Sequence, residues 1–380
     1  MNRPHRRGKP APVSPEQWTD LLRREVLRFE QPADQVMSRF FRAHPQLGAR
    51  DRAIMADTVW QELRLAPTPA WLHKRLSDAL GGEQAKVCEL ALQQPAPLDL
   101  RVNTLLCKTA QVVELLSLEG FTVEPAGVIE EALRAHGKPS LQKTKAFTQG
   151  WIEVQDLGSQ LLARLVAPKR GQFVVDFCAG AGGKTLALGA ALKNTGRLYA
   201  LDVSAARLAR FKPRLARSGL SNVWPSAITG PSDDRVKRLA AKADAVLVDA
   251  PCSGMGTLRR NPDLKWRMGP ERIEALQLQQ LQILASAATL VKPGGRLVYA
   301  TCSLFAKENS DVVEAFLSSH SQFSRESCQE VLLSQRIQCP QAWQAFTPQG
   351  DLMLWPHRSG TDGFYAASLV RAGQSAGGMG

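Results

Sequence analysis

The stretch Val174-Val175-Asp176-Phe177-Cys178-Ala179-Gly180-Ala181-Gly182-Gly183-Lys184-Thr185 decides the fold class of this chain. An apolar run ends in an acid, a glycine-rich turn follows, and Leu186-Ala187-Leu188 resume in a helix-forming composition. Strand, tight loop and helix in that order open an α/β domain. A phosphate-binding P-loop needs glycine five residues before Gly-Lys-Thr, and that position is Cys178. A dinucleotide loop needs a third glycine where Thr185 stands. The remaining pattern is Asp-x-x-x-Gly-x-Gly, an acid at a strand end before a tight turn. Its carboxylate can accept from an ammonium group, and its glycines let a sulfonium nucleoside approach the backbone without a pyrophosphate. Asp202 closes the next apolar run, RLYALD, where an acid can take both hydroxyls of a ribose. Asp202 can equally cap the helix SAARLAR that follows. The two acids together favour S-adenosyl-L-methionine over NAD.

Outward from this loop, residues 151–372 alternate strand and helix, which predicts a mainly parallel, Rossmann-like sheet covered on both faces. The expected strands are Phe173–Phe177, Arg197–Leu201, Ala245–Asp249, Arg296–Ala300 and Gly363–Val370. Residues 15–92 carry apolar positions at helical spacing, beginning with Trp18, Leu21, Leu22 and Val26, and predict an all-helical domain. Breaks at Gln31-Pro32, His44-Pro45 and Ala66-Pro67-Thr68-Pro69 punctuate it. Between them, 97–150 reads as a small α/β accessory module: PLDLRVNTLL strand-like, TAQVVELLSLEG helical, FTVEPAG strand-like. The basic, proline-containing segment 1–14 and the glycine-rich segment 373–380 are expected to be a flexible arm and tail.

Two cysteine motifs close two of the expected strands. Asp249-Ala250-Pro251-Cys252-Ser253 closes Ala245–Asp249 and Thr301-Cys302-Ser303 closes Arg296–Ala300. Neighbouring strands in such a sheet lie about 4.8 Å apart, so both thiols can reach one small substrate at its C-terminal edge. Carbon 5 of cytosine is a poor nucleophile until something adds to carbon 6, and a thiolate suits that addition. The adduct must later lose its carbon-5 proton and expel the thiolate, which a second group can assist. Two thiols match the two halves of one reaction. A lone buried cysteine is otherwise a small apolar filler, which is the reading for Cys88, Cys107, Cys328, Cys339 and, beside the cofactor loop, Cys178.

The net charge of +13 over 380 residues predicts attraction to a polyanion. Seven cysteines without a CxxC pair argue against a disulfide framework or a zinc ribbon, and no metal is expected. No apolar run is long enough to span a membrane. A reducing cytoplasm is the expected compartment and a monomer the expected state.

DFCAGAGGKT (176–185), LDVSAARL (201–208), VDAPCSGMGTLRRNPDLKW (248–266) and YATCSLFAKEN (299–309) together resemble the RNA (cytosine-5)-methyltransferases of the Sun (RsmB-type) family. LRVNT (100–104), VQDLGSQ (154–160) and DGFYAASL (362–369) extend the resemblance over nearly the whole chain from about residue 15. The resemblance implies that Cys302 is the nucleophile and Cys252 assists product release. It implies cofactor contacts from Cys178, Ala179, Gly180, Ala181, Gly182, Gly183 and Lys184, with Asp202 and Asp249; Asp249 can alternatively meet the flipped base. It also implies an RNA-binding helical domain and an RNA-recognition-like accessory module. Two positions depart from the family pattern. Ala181 stands where proline is usual, and Thr229-Gly230 stands where an aspartate usually follows the third strand, with Asp233 and Asp234 slightly later.

Arg259, Arg260, Lys265 and Trp266 follow the PCS motif and offer phosphate contacts and a stacking surface for RNA, ribosomal RNA ahead of transfer RNA. Arg207, Arg210, Lys212, Arg214 and Arg217 share one helical segment, as contacts or as a solvated face. The target base must leave its stack to reach the thiols. The alternative is a non-catalytic RNA-binding or ribosome-assembly factor that retains the fold; both thiols and both acids being in place count against it.

Overall fold

The computed structural model describes residues 14–137 and 140–373. The expected arm and tail lie outside the described residues, apart from Ser14 and Gly373. Five helices come first: α1 Pro15–Val26, α2 Ala33–Ala43, α3 Ala49–Leu65, α4 Ala70–Leu80 and α5 Gly82–Leu92. Ser14 opens α1 with a reciprocal capping box to Gln17, and Pro15 takes the first position, where a missing N–H costs nothing. The three proline-containing breaks fall between helices, as expected.

These helices do not share one core. α1–α3 enclose Leu22, Val26, Val36, Phe40, Met55 and Val59. α4 and α5 contribute Leu72, Leu76, Ala85 and Cys88 to a different cluster with Met255, Leu258, Leu304 and Phe305 of the catalytic domain. Helical periodicity identifies an apolar face but not what that face will meet.

The accessory module holds β1 Leu98–Val102, α6 Thr109–Leu118, β2 Val123–Pro125, β3 Ala132–Ala135, α7 Lys145–Thr148 and β4 Ile152–Val154. Its sheet runs β2-β3-β1-β4 with antiparallel pairs throughout. β4 lies beyond residue 150, so this sheet takes its last strand from the segment expected to open the catalytic domain. Three or four residues are too few for an alternating pattern to be read, which hid β3 and β4.

The catalytic domain continues through α8 Leu157–Leu165, β5 Phe173–Asp176, α9 Gly183–Ala191, β6 Arg197–Asp202, α10 Ala205–Arg217, β7 Val223–Ala227, α11 Asp234–Lys237 and β8 Ala243–Asp249. It closes with α12 Leu264–Arg267, α13 Pro270–Ala288, β9 Val291–Thr301, α14 Ser310–Ser319, β10 Phe323–Glu326, α15 Cys328–Leu333, β11 Leu352–Leu354, α16 Pro356–Ser359 and β12 Phe364–Arg371. Strand order is β10-β12-β9-β8-β5-β6-β7, with β11 against β12. β7, β6, β5, β8 and β9 run parallel; β12 runs antiparallel to β9, β10 and β11. All five expected strands are present. β7 is the third strand that the resemblance implies before Thr229-Gly230; it is not among the five read from the apolar pattern, because VWPSA carries Pro225, tolerated there because β7 is an edge strand. Successive residues of a strand face opposite sides, and both sides are buried. Val174, Leu198, Leu247 and Val298 meet one core, and Val175, Leu201, Val246 and Leu297 the other.

Candidate active site

β5 pairs β6 on one side and β8 on the other, so the chain reverses its winding at β5. The crevice outside the strands' C-terminal ends at such a point is where ligands bind in doubly wound sheets. A cavity of about 750 Å³ opens there, within the range for small-molecule sites. Cys178, Ala179, Gly180, Ala181, Gly183, Lys184, Asp202, Asp249, Cys252 and Cys302 all line it. Of the expected cofactor and catalytic residues Gly182 and Asp176 do not; Gly182 packs beneath, in the left-handed conformation, where a Cβ would sit 1.9 Å from the Phe211 ring.

At one end, the Gly180 N–H donates to Asp202 Oδ2 at 2.8 Å and the Ser204 N–H to Asp202 Oδ1 at 2.7 Å. A carboxylate offers about four lone-pair sites, so Asp202 ties the loop to β6 and still has capacity for hydroxyl donors. Val203, from the LDVSAARL stretch, and Ile228 and Pro231, which no motif marked, add an apolar wall beside it. Asp176 plays a different part from the one expected. It does not line the cavity; its Oδ2 accepts from the Thr185 hydroxyl at 2.6 Å, and its buried Oδ1 has no partner. Burial pushes its carboxyl up to about 7, with the negative fields of Asp249 and Asp202 adding. The loop after β7 supplies no acid either. Asp233 accepts from the Thr229 N–H at 2.8 Å and hydroxyl at 3.0 Å and caps α11, while Asp234 pairs with Lys237.

At the other end, β8 and β9 bring the two cysteines together in register, Asp249 opposite Ala300. The Sγ atoms of Cys252 and Cys302 are 3.2 Å apart. That hydrogen bond and burial push the Cys252 thiol well above the ordinary range. Lys184 Nζ donates to Asp249 Oδ2 at 2.7 Å. Burial alone would pull the Lys184 ammonium down; Asp249 reverses this, Cys302 and Asp176 add to it, and the net direction is upward. A fixed positive charge therefore stands near the Cys302 sulfur. Burial and the Asp176 charge push the Cys178 thiol well up, which agrees with a filler beside the loop. No cluster of metal-ligating side chains occurs among the described residues.

The four side chains expected to meet RNA after the PCS motif are engaged within the protein. Arg259 donates to the Gly360 and Pro95 carbonyls at 3.0 and 2.9 Å. Arg260 bridges Asp362 at 2.5 Å and Asp156 at 2.9 Å. Lys265 is buried and donates to the Arg64 and Ala66 carbonyls, and Trp266 stacks on Phe29 with centroids 4.9 Å apart. These side chains tie the segment around α12 to the end of α3, to Phe29 after α1 and to the loops at Pro95, Asp156 and Gly360–Asp362; a cation that can reach buried carbonyls and carboxylates is held there. The α10 cluster divides. Arg214 and Arg217 pair with Glu153, and Arg214 also holds the Ala181 carbonyl at 2.7 Å; Arg207, Arg210 and Lys212 are exposed. Gln155 and Asp156, from the turn between β4 and α8, line the cavity too and carried no signal beyond the VQDLGSQ stretch.

The family described as 16S rRNA methyltransferase RsmB/F matches residues 163–370, and the ferredoxin-like domain of RsmF/B-like methyltransferases matches 68–142. The second span takes in α4 and α5. The probable ribosomal RNA small subunit methyltransferase B of Bacillus subtilis (strain 168) is 35% identical over 306 residues, covering 80% of this chain and 66% of that protein. The chain thus spans about two thirds of that relative's length. A methyltransferase homolog protein from Pyrococcus horikoshii is 28% identical with a TM-score of 0.68, covering 82% of this chain and 97% of that one. NSun6 from Pyrococcus horikoshii, solved with SFG, shares the fold at 22% identity and a TM-score of 0.70, covering 80% and 98%. Small residues along the loop, the spare capacity of Asp202 and the apolar wall all fit S-adenosyl-L-methionine, the cofactor of these enzymes. The chain belongs to the RsmB/F family of 16S rRNA methyltransferases.

Proposed function

We propose that this protein transfers the methyl group of S-adenosyl-L-methionine to carbon 5 of a cytosine in RNA, with ribosomal RNA as substrate, through a covalent cysteine–base adduct. The observation that carries the reading is the contact between Cys252 and Cys302, 3.2 Å apart at one end of the cofactor cleft. A cofactor-binding fold needs neither thiol. Family membership and the net charge of +13 support RNA as the substrate class.

Bound in the cleft, the cofactor supplies an electrophilic methyl group. Cys302, near the Lys184 ammonium, adds as thiolate to carbon 6 of the base, which makes carbon 5 nucleophilic. Cys252 keeps its proton while unengaged and stands on the opposite side of the sulfur contact. With Cys302 bonded to carbon 6, Cys252 gives its proton to water; after methyl transfer the resulting thiolate accepts the carbon-5 proton, the carbon 5–carbon 6 double bond re-forms, and the carbon 6–sulfur bond breaks to release Cys302 as thiolate. Asp249, held by Lys184 at the cavity wall, is placed to accept a hydrogen bond from a base amino group. Exposed Arg207 at the cavity rim, with Arg210 and Lys212 along the same helix, offers phosphate contacts.

The test is incubation of the protein with RNA lacking this modification and radiolabelled S-adenosyl-L-methionine, followed by nucleoside mapping. Label in 5-methylcytidine of 16S RNA is the expected result. Label at another base or ring position sinks the carbon-5 reading, and no label on any RNA favours an assembly factor that retains the fold.

A further inference from the structure

Glu308 is fully buried beneath both cysteine loops, and the reaction above gives it no task. It lies on the short turn Ala306–Glu308 that follows β9. Its Oε1 accepts from the Ser253 main-chain N–H at 2.7 Å and from Gln280 Nε2 at 3.1 Å. Its Oε2 accepts from the hydroxyls of Ser253 and Ser303, each at 2.5 Å. Four donors fill the four lone-pair sites of one carboxylate. Ser253 follows Cys252 and Ser303 follows Cys302, so a single side chain holds the residue next to each thiol. The same turn is braced from outside: the Tyr299 hydroxyl donates to the Glu308 carbonyl at 2.6 Å, and Asn309 bonds Thr301 and the Ser303 carbonyl.

We propose that Glu308 is a positioning residue that locks the Cys252 and Cys302 loops to one another and thereby sets the sulfur–sulfur contact. Strand pairing alone delivers β8 and β9 side by side, but it ends at Asp249 and Ala300. Beyond that point two main-chain bonds join the segments, from the Ala250 N–H to the Ala300 carbonyl and from the Gly256 N–H to the Cys302 carbonyl, each at 2.8 Å; the Ser253 and Ser303 hydroxyls meet at 3.4 Å, and the Glu308 carboxylate holds both. Its charge also faces Cys252, where it adds to the Cys302 hydrogen bond and to burial in keeping that thiol protonated. The catalytic consequence rests on the two-thiol reaction proposed above; the geometric statement does not.

Diamide separates the two. Two thiols in contact each lose a proton and together pass two electrons to the diazene, giving an S–S bond and the hydrazine. The full chain is treated with diamide, and the Cys252–Cys302 disulfide is followed by peptide mass spectrometry in the wild type, Glu308→Ala and the double variant S253A/S303A. The expected result is rapid closure in the wild type and closure slowed about tenfold or more in both variants, the loss of one to two charge-assisted hydrogen bonds. S-adenosyl-L-methionine affinity, read by calorimetry, stays within about twofold, since Glu308 does not line the cofactor loop. In the RNA assay kcat falls while the KM for RNA holds, because positioning acts on the reacting atoms. Wild-type closure rates in both variants overturn the proposal. Should Glu308→Ala fail to fold, the double variant, which removes only two hydroxyls, decides it alone. Slowed closure with unchanged methylation would uphold the positioning role and sink the two-thiol reaction.

Discussion

At one end of the cleft a short glycine loop is tied by main-chain N–H groups to one carboxylate, Asp202, on the next strand. At the thiol end the two sulfurs sit on loops 50 residues apart, held by a buried network through Glu308, Gln280, Ser253, Ser303 and Asn309. The first end is a local device: strand, turn and helix N-terminus place nearly every group, so it forms once β5 and α9 form. The second is a tertiary device whose geometry exists only after β8, β9 and α13 have packed. Local devices tolerate substitutions that keep the backbone path, as Ala181 does. Tertiary devices of this kind are satisfied as a whole or not at all.

Substitutions at the two ends should therefore fail differently. Cys302→Ala is expected to have the largest effect, reducing methyl transfer to background while cofactor binding, measured by calorimetry, is retained; residual turnover above background would place the nucleophile elsewhere. Cys252→Ala should slow turnover by roughly 10²–10⁴-fold, the range for a lost proton-transfer group, and accumulate a protein–RNA adduct visible on a denaturing gel. An adduct trapped by Cys302→Ala instead would exchange the two roles. Asp202→Ala leaves two loop N–H groups without their acceptor, worth about 1–3 kcal/mol. Its cofactor Kd should rise roughly 10–100-fold while diamide closes the thiol pair at the wild-type rate. A slower closure there would show the two ends to be one unit.

The smallest effect lies outside the cleft, at Lys265. Burial pulls its ammonium down to about 8 in the folded chain, against 10.5 in its ordinary state. Between those values the unfolded chain holds the extra proton, so the wild type gains stability relative to Lys265→Met as pH rises from about 8 to 10.5. The gain cannot exceed about 1.4 kcal/mol per pH unit. Urea unfolding of both proteins at the two ends of that window measures it; a difference independent of pH would mean that Lys265 is hydrated.

The motif-bearing parts of the site were readable because their spacing is their geometry. A loop of Asp-x-x-x-Gly-x-Gly after an apolar strand has few ways to fold, and Cys252 and Cys302 each sit within three residues of a strand end. Side chains recruited across the fold were not readable that way. Asp176 has the right position in the motif yet turns inward to Thr185, and Glu308 carries no local sign that it will meet Ser253. The basic run from Arg259 to Lys265 shows the same limit. In one dimension it is a cluster of charges, and only packing shows those charges facing Asp156, Asp362 and the end of α3.

By itself the sequence determined the α/β class, all five of the expected strands, the glycine loop at the cleft and the pairing of two thiols at neighbouring strand ends. These follow from periodicity, glycine placement and covalent spacing, which act within a few residues. Only the tertiary structure decided that the helical region divides between two cores, that β4 completes the accessory sheet and that Arg260 and Lys265 bond carboxylates and carbonyls of their own chain. It alone decided that the two sulfurs touch over one buried carboxylate. Contacts between distant segments depend on which buried groups can satisfy one another, and no run of residues contains that information.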